Sequence, residues 1–333
     1  MKAMILAAGY GERLWPLTAD RGKPALPVLG KPLVGYVAEY LAQNGVTEAV
    51  VNLHHRPESV QKSLGEGSQF GLHLEYVYEP VILGTSGGLD NAREFFQEST
   101  FICVNGKIIT DFDLQAAIET HRKQNALATL VLKRNIRRER FSIVETQDGL
   151  VTRFAGMPQS TEGGSDTDPP LMFTGIHILE PRIFDYIPRG VFSDSVVHVY
   201  PPAMAKGERI AAHIGEGMWH ELSTLRRYLD ISLDLLAAQD RNVFAGDRTS
   251  MGSNARVRDA ILWDDVVVED GAGVTRSVVG DGVRVRAGDA FEDSVVVRAE
   301  LVAGKAPPAK ALKGCFQDDK FVVPLSSDKI SLS

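Results

Sequence analysis

Cysteine is scarce. Only Cys103, inside an apolar run, and Cys315, near the end of the chain, occur among 333 residues, and they lack metal-ligand spacing. This excludes a disulfide scaffold and a cysteine-rich zinc module, and both are read as free thiols of a reducing compartment. Long apolar runs are missing too, since none reaches the roughly 18 residues of a membrane span. The opening "MKAMILAAGYGERL" carries charge directly behind its short apolar run. It reads as a first buried strand, and the protein is expected to be cytoplasmic, with no membrane partner. Positive charge is not in excess: 36 Lys+Arg stand against 43 Asp+Glu, a net charge of -7, which argues against a nucleic acid partner.

The chain is longer than one hydrophobic core usually supports, so a large and a smaller domain are expected. Apolar runs of strand length recur: "AMILAA" (3–8), "EAVVNL" (48–53), "LEYVYE" (74–79), "TFICVN" (100–105) and "ALATLVL" (126–132). Helical patterns such as "PLVGYVAEYLAQNG" and "SGGLDNAREFFQ" lie between the first four. Alternating strands and helices with unbroken apolar strands predict a Rossmann-like α/β domain over residues 1–240. Its sheet should be mostly parallel, with ligands gathered beyond the strands' carboxyl ends. The stretch "GMPQSTEGGSDTDPP" (156–170) reads as an exposed loop.

From about residue 255, one residue in six is apolar or small in a fixed frame: Ala255, Ile261, Val267, Gly273, Val279, Val285, Phe291 and Val297. A period of six marks hexapeptide repeats, so residues 241–333 are expected to form a short left-handed β-helix with a C-terminal tail. Two or three coils need a cap from the first domain or from another subunit, and a homo-oligomer (dimer) or association through the β-helix is expected. The region contains no histidine, which sets aside the acyltransferase chemistry of longer coil stacks.

Chemistry concentrates in "LAAGYGERLWPLTADRGKPALPV" (6–28). Gly9 and Gly11 directly follow the first strand, so backbone N–H groups can approach an anion without an intervening side chain. Arg13 and Lys23 add fixed positive charge to the same connection, a combination suited to a nucleotide's phosphates. A dinucleotide fingerprint fits poorly, because Leu14 takes the third glycine's place and the second strand ends in "NLHH" without an acidic ribose partner. No GK[ST] follows at Walker spacing.

The same stretch closely resembles the signature of the sugar-1-phosphate nucleotidyltransferases. The likeness continues in order through "EPVILGTSGGL" (79–89), "VNGKIITDFDL" (104–114), "FTGIHILEP" (173–181) and "WHELSTLRRYL" (219–229). It is most like the mannose-1-phosphate guanylyltransferase branch. The resemblance implies that a sugar 1-phosphate attacks the α-phosphorus of a nucleoside triphosphate, that pyrophosphate leaves, and that Mg²⁺ bridges the phosphates. By position, Arg13 and Lys23 are then catalytic. Ala8, Gly9, Gly11, Glu79, Gly84, Thr85, Asn105 and Gly106 form the nucleotide pocket, and Ser142, Thr174 and Gly175 meet the sugar phosphate. Glu79, an acceptor only, would suit the paired donors of guanine, which points to GTP or a GDP-sugar, while mannose 1-phosphate is what the resemblance to that branch implies.

Some positions depart from the family pattern. Lys107 stands where the family has a metal-ligating aspartate, and an ammonium cannot coordinate a cation. The second ligand position falls on Glu221. Glu12 replaces a small hydroxyl residue beside the phosphate loop, Ser142 replaces a glycine, and Met157 lies where many members carry a lysine. Asp111 and Asp113 read as caps at a helix start rather than substitute ligands. Two readings follow: a nucleotidyltransferase with an altered metal site, or a catalytically impaired member serving as regulatory subunit or nucleotide-sugar sensor.

Overall fold

The computed structural model describes residues 1–139, 141–156 and 169–325. The chain divides into two compact units. The first comprises Met1–Gly9, Val34–Pro57 and Leu64–Trp219, and the second Tyr10–Leu33, Glu58–Ser63 and the chain from His220 onward. This division departs from a boundary at residue 240. The glycine-rich turn and the helix preceding residue 240 group with the C-terminal coils, because their side chains pack there: Trp15 on Phe321, Arg21 on Trp263, and Tyr228 on Trp263.

In the first unit, strands β1 (Lys2–Leu6), β2 (Glu48–Leu53), β3 (His73–Tyr78) and β4 (Phe101–Asn105) form a parallel block in the order β3-β2-β1-β4. Helix α1 (Leu33–Gln43) ends at Gly45, which takes the left-handed conformation that stops helices. Helices α2 (Gly84–Asn91) and α3 (Leu114–Gln124) follow β3 and β4. Beyond β4 the sheet is mixed. Strands β5 (Ala128–Arg134), β6 (Ile143–Gln147), β7 (Leu150–Gly156), β8 (Leu171–Leu179) and β9 (Ile210–Ile214) complete the order β3-β2-β1-β4-β8-β5-β9-β7-β6.

Strand β8 runs antiparallel to both β4 and β5, while β9 is parallel to β5. The expectation of a mostly parallel sheet therefore holds for strand direction, with β8 and β7 running against the other described strands of the sheet. For β8 the reason is physical: "MFTGIHIL" is buried on both faces as a parallel strand would be, so its apolar pattern carries no direction. The core fills with Met4, Val50, Phe96, Phe101, Leu130, Ile183 and Tyr200.

The second unit contains helix α4 (Leu225–Ala237), capped by the Thr224 hydroxyl accepting from the Arg227 amide, and a stack of parallel strands. Strands β10 (Val243–Ala245), β11 (Arg256–Leu262), β12 (Gly273–Val279) and β13 (Ser294–Arg298) pair in parallel along one side. A second side stacks Ser250–Met251, Val267–Val268 and Arg284–Val285. Pairs such as Arg248 and Asp265, or Ser277 and Ser294, lie 17 residues apart. One coil is thus a residue short of three hexads.

Left-handed corners at Asp259, Asp265, Gly271, Arg276, Gly282, Gly288 and Asp293 show why: two sides carry six residues and the third carries five. The six-residue frame slips by one on each coil, yet the interior stays apolar through Ala260, Val266, Ala272, Val279, Val285 and Val296. The last coil is closed by the chain itself. Lys320–Pro324 pairs antiparallel with β13, so the cap expected from elsewhere is supplied at this end by the C-terminal segment.

Candidate functional site

In the first unit, the expected nucleotide-binding residues collect where β1 to β4 end. Ala7 and Ala8 follow β1 and are buried, while Gly9 is exposed and a Cβ on it would meet nothing within 4 Å. Asn52, on β2, links the strand ends: its Oδ1 accepts from the Ala7 amide at 2.7 Å, and its Nδ2 donates to Glu79 Oε1 at 2.5 Å. Glu79 Oε2 accepts from the Leu83 amide at 3.0 Å. Asn52 is 2 % and Glu79 0 % exposed.

This corrects the reading of Glu79. Its carboxylate closes the loop between β3 and α2 and does not face a base, because both oxygens are engaged inside the protein. Gly88 makes room for the pair, since a Cβ there would lie 2.6 Å from Glu79 Oε1. Sequence reasoning passes over Asn52. Its signal is a polar side chain inside the run "EAVVNL", at the end of a strand that the fold buries.

Gly84 and Thr85 lie at the start of α2. Gly84 has φ 77° and admits no side chain, as the Ser193 carbonyl would lie 2.5 Å from its Cβ. Thr85 Oγ1 accepts from the Ser195 amide at 2.9 Å and donates toward Asp194 Oδ2 at 3.2 Å. The segment 193–195 thereby holds the loop's shape.

At the end of β4, the Gly106 amide donates to Leu6 O at 2.9 Å, which sets the turn carrying Lys107 beside β1. Gly175 packs on Asn105, and with φ 84° it leaves no space for a Cβ against that amide. Thr174 is correspondingly corrected: it is 1 % exposed and its hydroxyl donates to Val131 O at 2.7 Å, so it is a strut rather than a phosphate contact. Ser142 lies half-buried just before β6, next to Phe141, whose ring meets Trp219 edge-on at 5.5 Å. Met157 lies outside the described residues. A cavity of about 350 Å³ opens by Leu83, Asp90 and Arg93, yet it contains none of the expected nucleotide or sugar residues.

In the second unit, Gly11 (φ 69°) packs so closely on Lys23 that a Cβ would lie 2.8 Å from the Lys23 Cβ. Thr18 Oγ1 donates to Gly11 O at 3.3 Å, and Glu12–Leu14 forms one tight turn of helix. Arg13 is exposed on that turn and Lys23 half-buried at the start of the next. Arg21 is held by Asp20 at 2.9 Å and Asp281 at 2.6 Å. Burial alone would lower its pKa, but the two carboxylates outweigh it and keep the guanidinium charged. Glu221 is buried at the end of the strand Trp219–Glu221, and its carbonyl accepts from Arg227 Nε at 2.8 Å.

Of the two Mg²⁺ ligand positions that the resemblance implies, Glu221 alone carries a carboxylate. Among the described residues no group of three His, Cys, Asp or Glu side chains is placed to hold a metal. Lys107 offers only donors. Asp113 caps α3 through the Ala116 amide at 3.0 Å, and Asp111 accepts from the Met218 amide at 2.7 Å. The sequence-based reading of these two aspartates as caps is what the geometry shows for Asp113. For Asp111 the partner is a distant segment of the chain.

Comparison with known proteins adds a second line of observation. Over 304 residues the chain is 31% identical to a UTP–glucose-1-phosphate uridylyltransferase from Synechocystis, covering 86% of this chain and 76% of the relative. It is 29% identical over 303 residues to a mannose-1-phosphate guanylyltransferase from Mycobacterium tuberculosis, covering 87% and 82%. The fold matches the crystal structure of HddC from Yersinia pseudotuberculosis with a TM-score of 0.59 at 21% identity, over 70% of this chain and 99% of that one. The family model described as Nucleotidyl transferase spans residues 2–238, taking in the glycine-rich turn, the strand ends and all five motifs, and the chain belongs to that family, among the sugar-1-phosphate nucleotidyltransferases.

Proposed function

We propose that this protein joins a nucleoside triphosphate to a sugar 1-phosphate and releases pyrophosphate, with GTP and mannose 1-phosphate as substrates. The observation that carries the reading is the turn after β1, where Gly11 is left-handed, Lys23 packs on it, and Arg13 stands exposed. In the reaction, an oxygen of the sugar 1-phosphate attacks the α-phosphorus while the bond to the β-phosphate oxygen breaks. Arg13 and Lys23 bind the triphosphate and stabilise the charge that builds on departing pyrophosphate. Gly9, exposed directly after β1 with no atom where a Cβ would stand, leaves backbone N–H groups open to a phosphate.

The choice of base rests on the relatives named for mannose 1-phosphate, because Glu79 no longer argues for guanine. UTP with glucose 1-phosphate is the second reading, favoured by the 31% identity to the Synechocystis uridylyltransferase. No step is assigned to a protein-held metal. Lys107 supplies a single positive charge at the end of β4 in place of a ligand, as a binder of phosphate oxygens.

Pyrophosphate release with GTP or UTP, each paired with mannose 1-phosphate and glucose 1-phosphate, tests the assignment. Release is expected with wild-type protein and is expected to be greatest for GTP with mannose 1-phosphate. Lys107→Asp, assayed alongside, should make the rate depend more steeply on free Mg²⁺. Turnover confined to the variant would overturn the reading.

A further inference from the structure

The segment that follows the coils returns to the glycine-rich turn. Within the second unit, Trp15, Arg21, Ala19 and Glu12 each contact the C-terminal part. The Trp15 ring meets Phe321 edge-on at 5.2 Å. Arg21 pairs with Asp281 at 2.6 Å and lies over the Trp263 ring at 5.0 Å. Lys305 Nζ donates to Ala19 O at 3.2 Å. Lys310 Nζ lies 3.8 Å from Glu12 Oε2.

The contacts of Trp15, Arg21 and Ala19 bury or brace the turn, and a structural role explains them. The Lys310–Glu12 pair does not stabilise in that way. The Lys310 side chain is 73% exposed and that of Glu12 34%, and an ion pair so open to water contributes almost nothing to folding. Its consequence is local charge. Glu12 sits between Gly11 and Arg13, where a carboxylate repels any phosphate that Arg13 and Lys23 attract, and Lys310 brings one positive charge to cancel it.

Resting on the function proposed above, we propose that Lys310 belongs to the nucleotide site as a positioning residue from the C-terminal segment. It neutralises Glu12, so that no uncancelled carboxylate stands beside Arg13 where the turn meets a nucleoside triphosphate. The nucleotide site then draws on residues beyond 238, where the family match ends.

Calorimetric titration of the full-length chain with GTP and with UTP tests this. Lys310→Ala is expected to weaken binding roughly three- to tenfold at low salt, and the difference should shrink in about 0.5 M NaCl as exposed charges are screened. Melting temperature should not move, and Lys310→Arg should bind as wild type. In a Glu12→Ser background, Lys310→Ala should have no effect, because there is no carboxylate left to neutralise. Wild-type affinity in Lys310→Ala, or equal weakening with and without Glu12, would overturn the inference while leaving the function intact. A wild-type chain that binds neither nucleotide would instead overturn the functional reading, and the inference with it.

Discussion

Both carboxylate oxygens of Glu79 are committed, one to Asn52 and one to the Leu83 amide, so the side chain acts on the loop and not on a ligand. Glu79→Gln puts an amide N–H₂ against one of two donors. It is expected to cost about 1–3 kcal/mol, the penalty for buried donors left unsatisfied, as measured by urea unfolding. The ratio of GTP to UTP affinity should stay as in wild type; a reversal would return Glu79 to the base pocket. Thr174 shows the same pattern, in which a motif residue turns out to be a buried strut. Position in a motif is legible in sequence, but the partner of a polar atom is not, because that partner comes from another strand.

At the scale of elements, strand β8 carries His177 into the core, where its Nδ1 meets the Tyr200 hydroxyl and its ring meets Phe173 edge-on at 4.5 Å. Burial pushes its pKa down to about 3. An unfolded histidine titrates near 6.5, so below that pH the unfolded chain takes up a proton that the folded one refuses. Stability from this group is complete above about pH 6.5 and falls as pH drops toward 3, by up to about 1.4 kcal/mol per pH unit. His177→Phe should flatten that limb in urea unfolding at pH 4 to 7, to the extent of one proton.

The hairpin β6–β7 is an element that the sequence reading missed, although "QDGL" held its signal: Asp148 and Gly149 both have positive φ, as a two-residue hairpin turn requires. In the coils, the corners at Asp259, Arg276 and Asp293 set the register. Inserting one residue after Gly280 would shift every later pairing by one and turn Val285 and Val296 outward. The expected outcome is loss of the coils' cooperative unfolding transition in circular dichroism, whereas Asp259→Gly should leave it in place.

For the whole molecule, the grouping of residues 10–33 with the coils has a direct consequence. Truncation after residue 240 removes Phe321 from Trp15, Asp281 and Trp263 from Arg21, and Lys305 from Ala19. The shortened chain is expected to lose the shape of its glycine-rich turn. Expression and thermal unfolding should show a less stable, aggregation-prone protein, and a truncated chain with wild-type melting would show that residues 1–240 stand alone.

The sequence by itself determined the strands of the parallel block, the glycine turn with its cations, the order of the motifs and hence the family, and the near-sixfold repeat. These depend on residue type and spacing along the chain, which local sterics and burial translate directly into structure. Only the tertiary structure decided that Glu79 is consumed by Asn52, 27 residues away, that the coil runs to 17 residues, that β8 runs antiparallel, and that Lys310 comes back to Glu12. Each of these is a pairing between segments far apart in the chain. Which groups meet there is set by packing of the whole unit, and no local pattern records it.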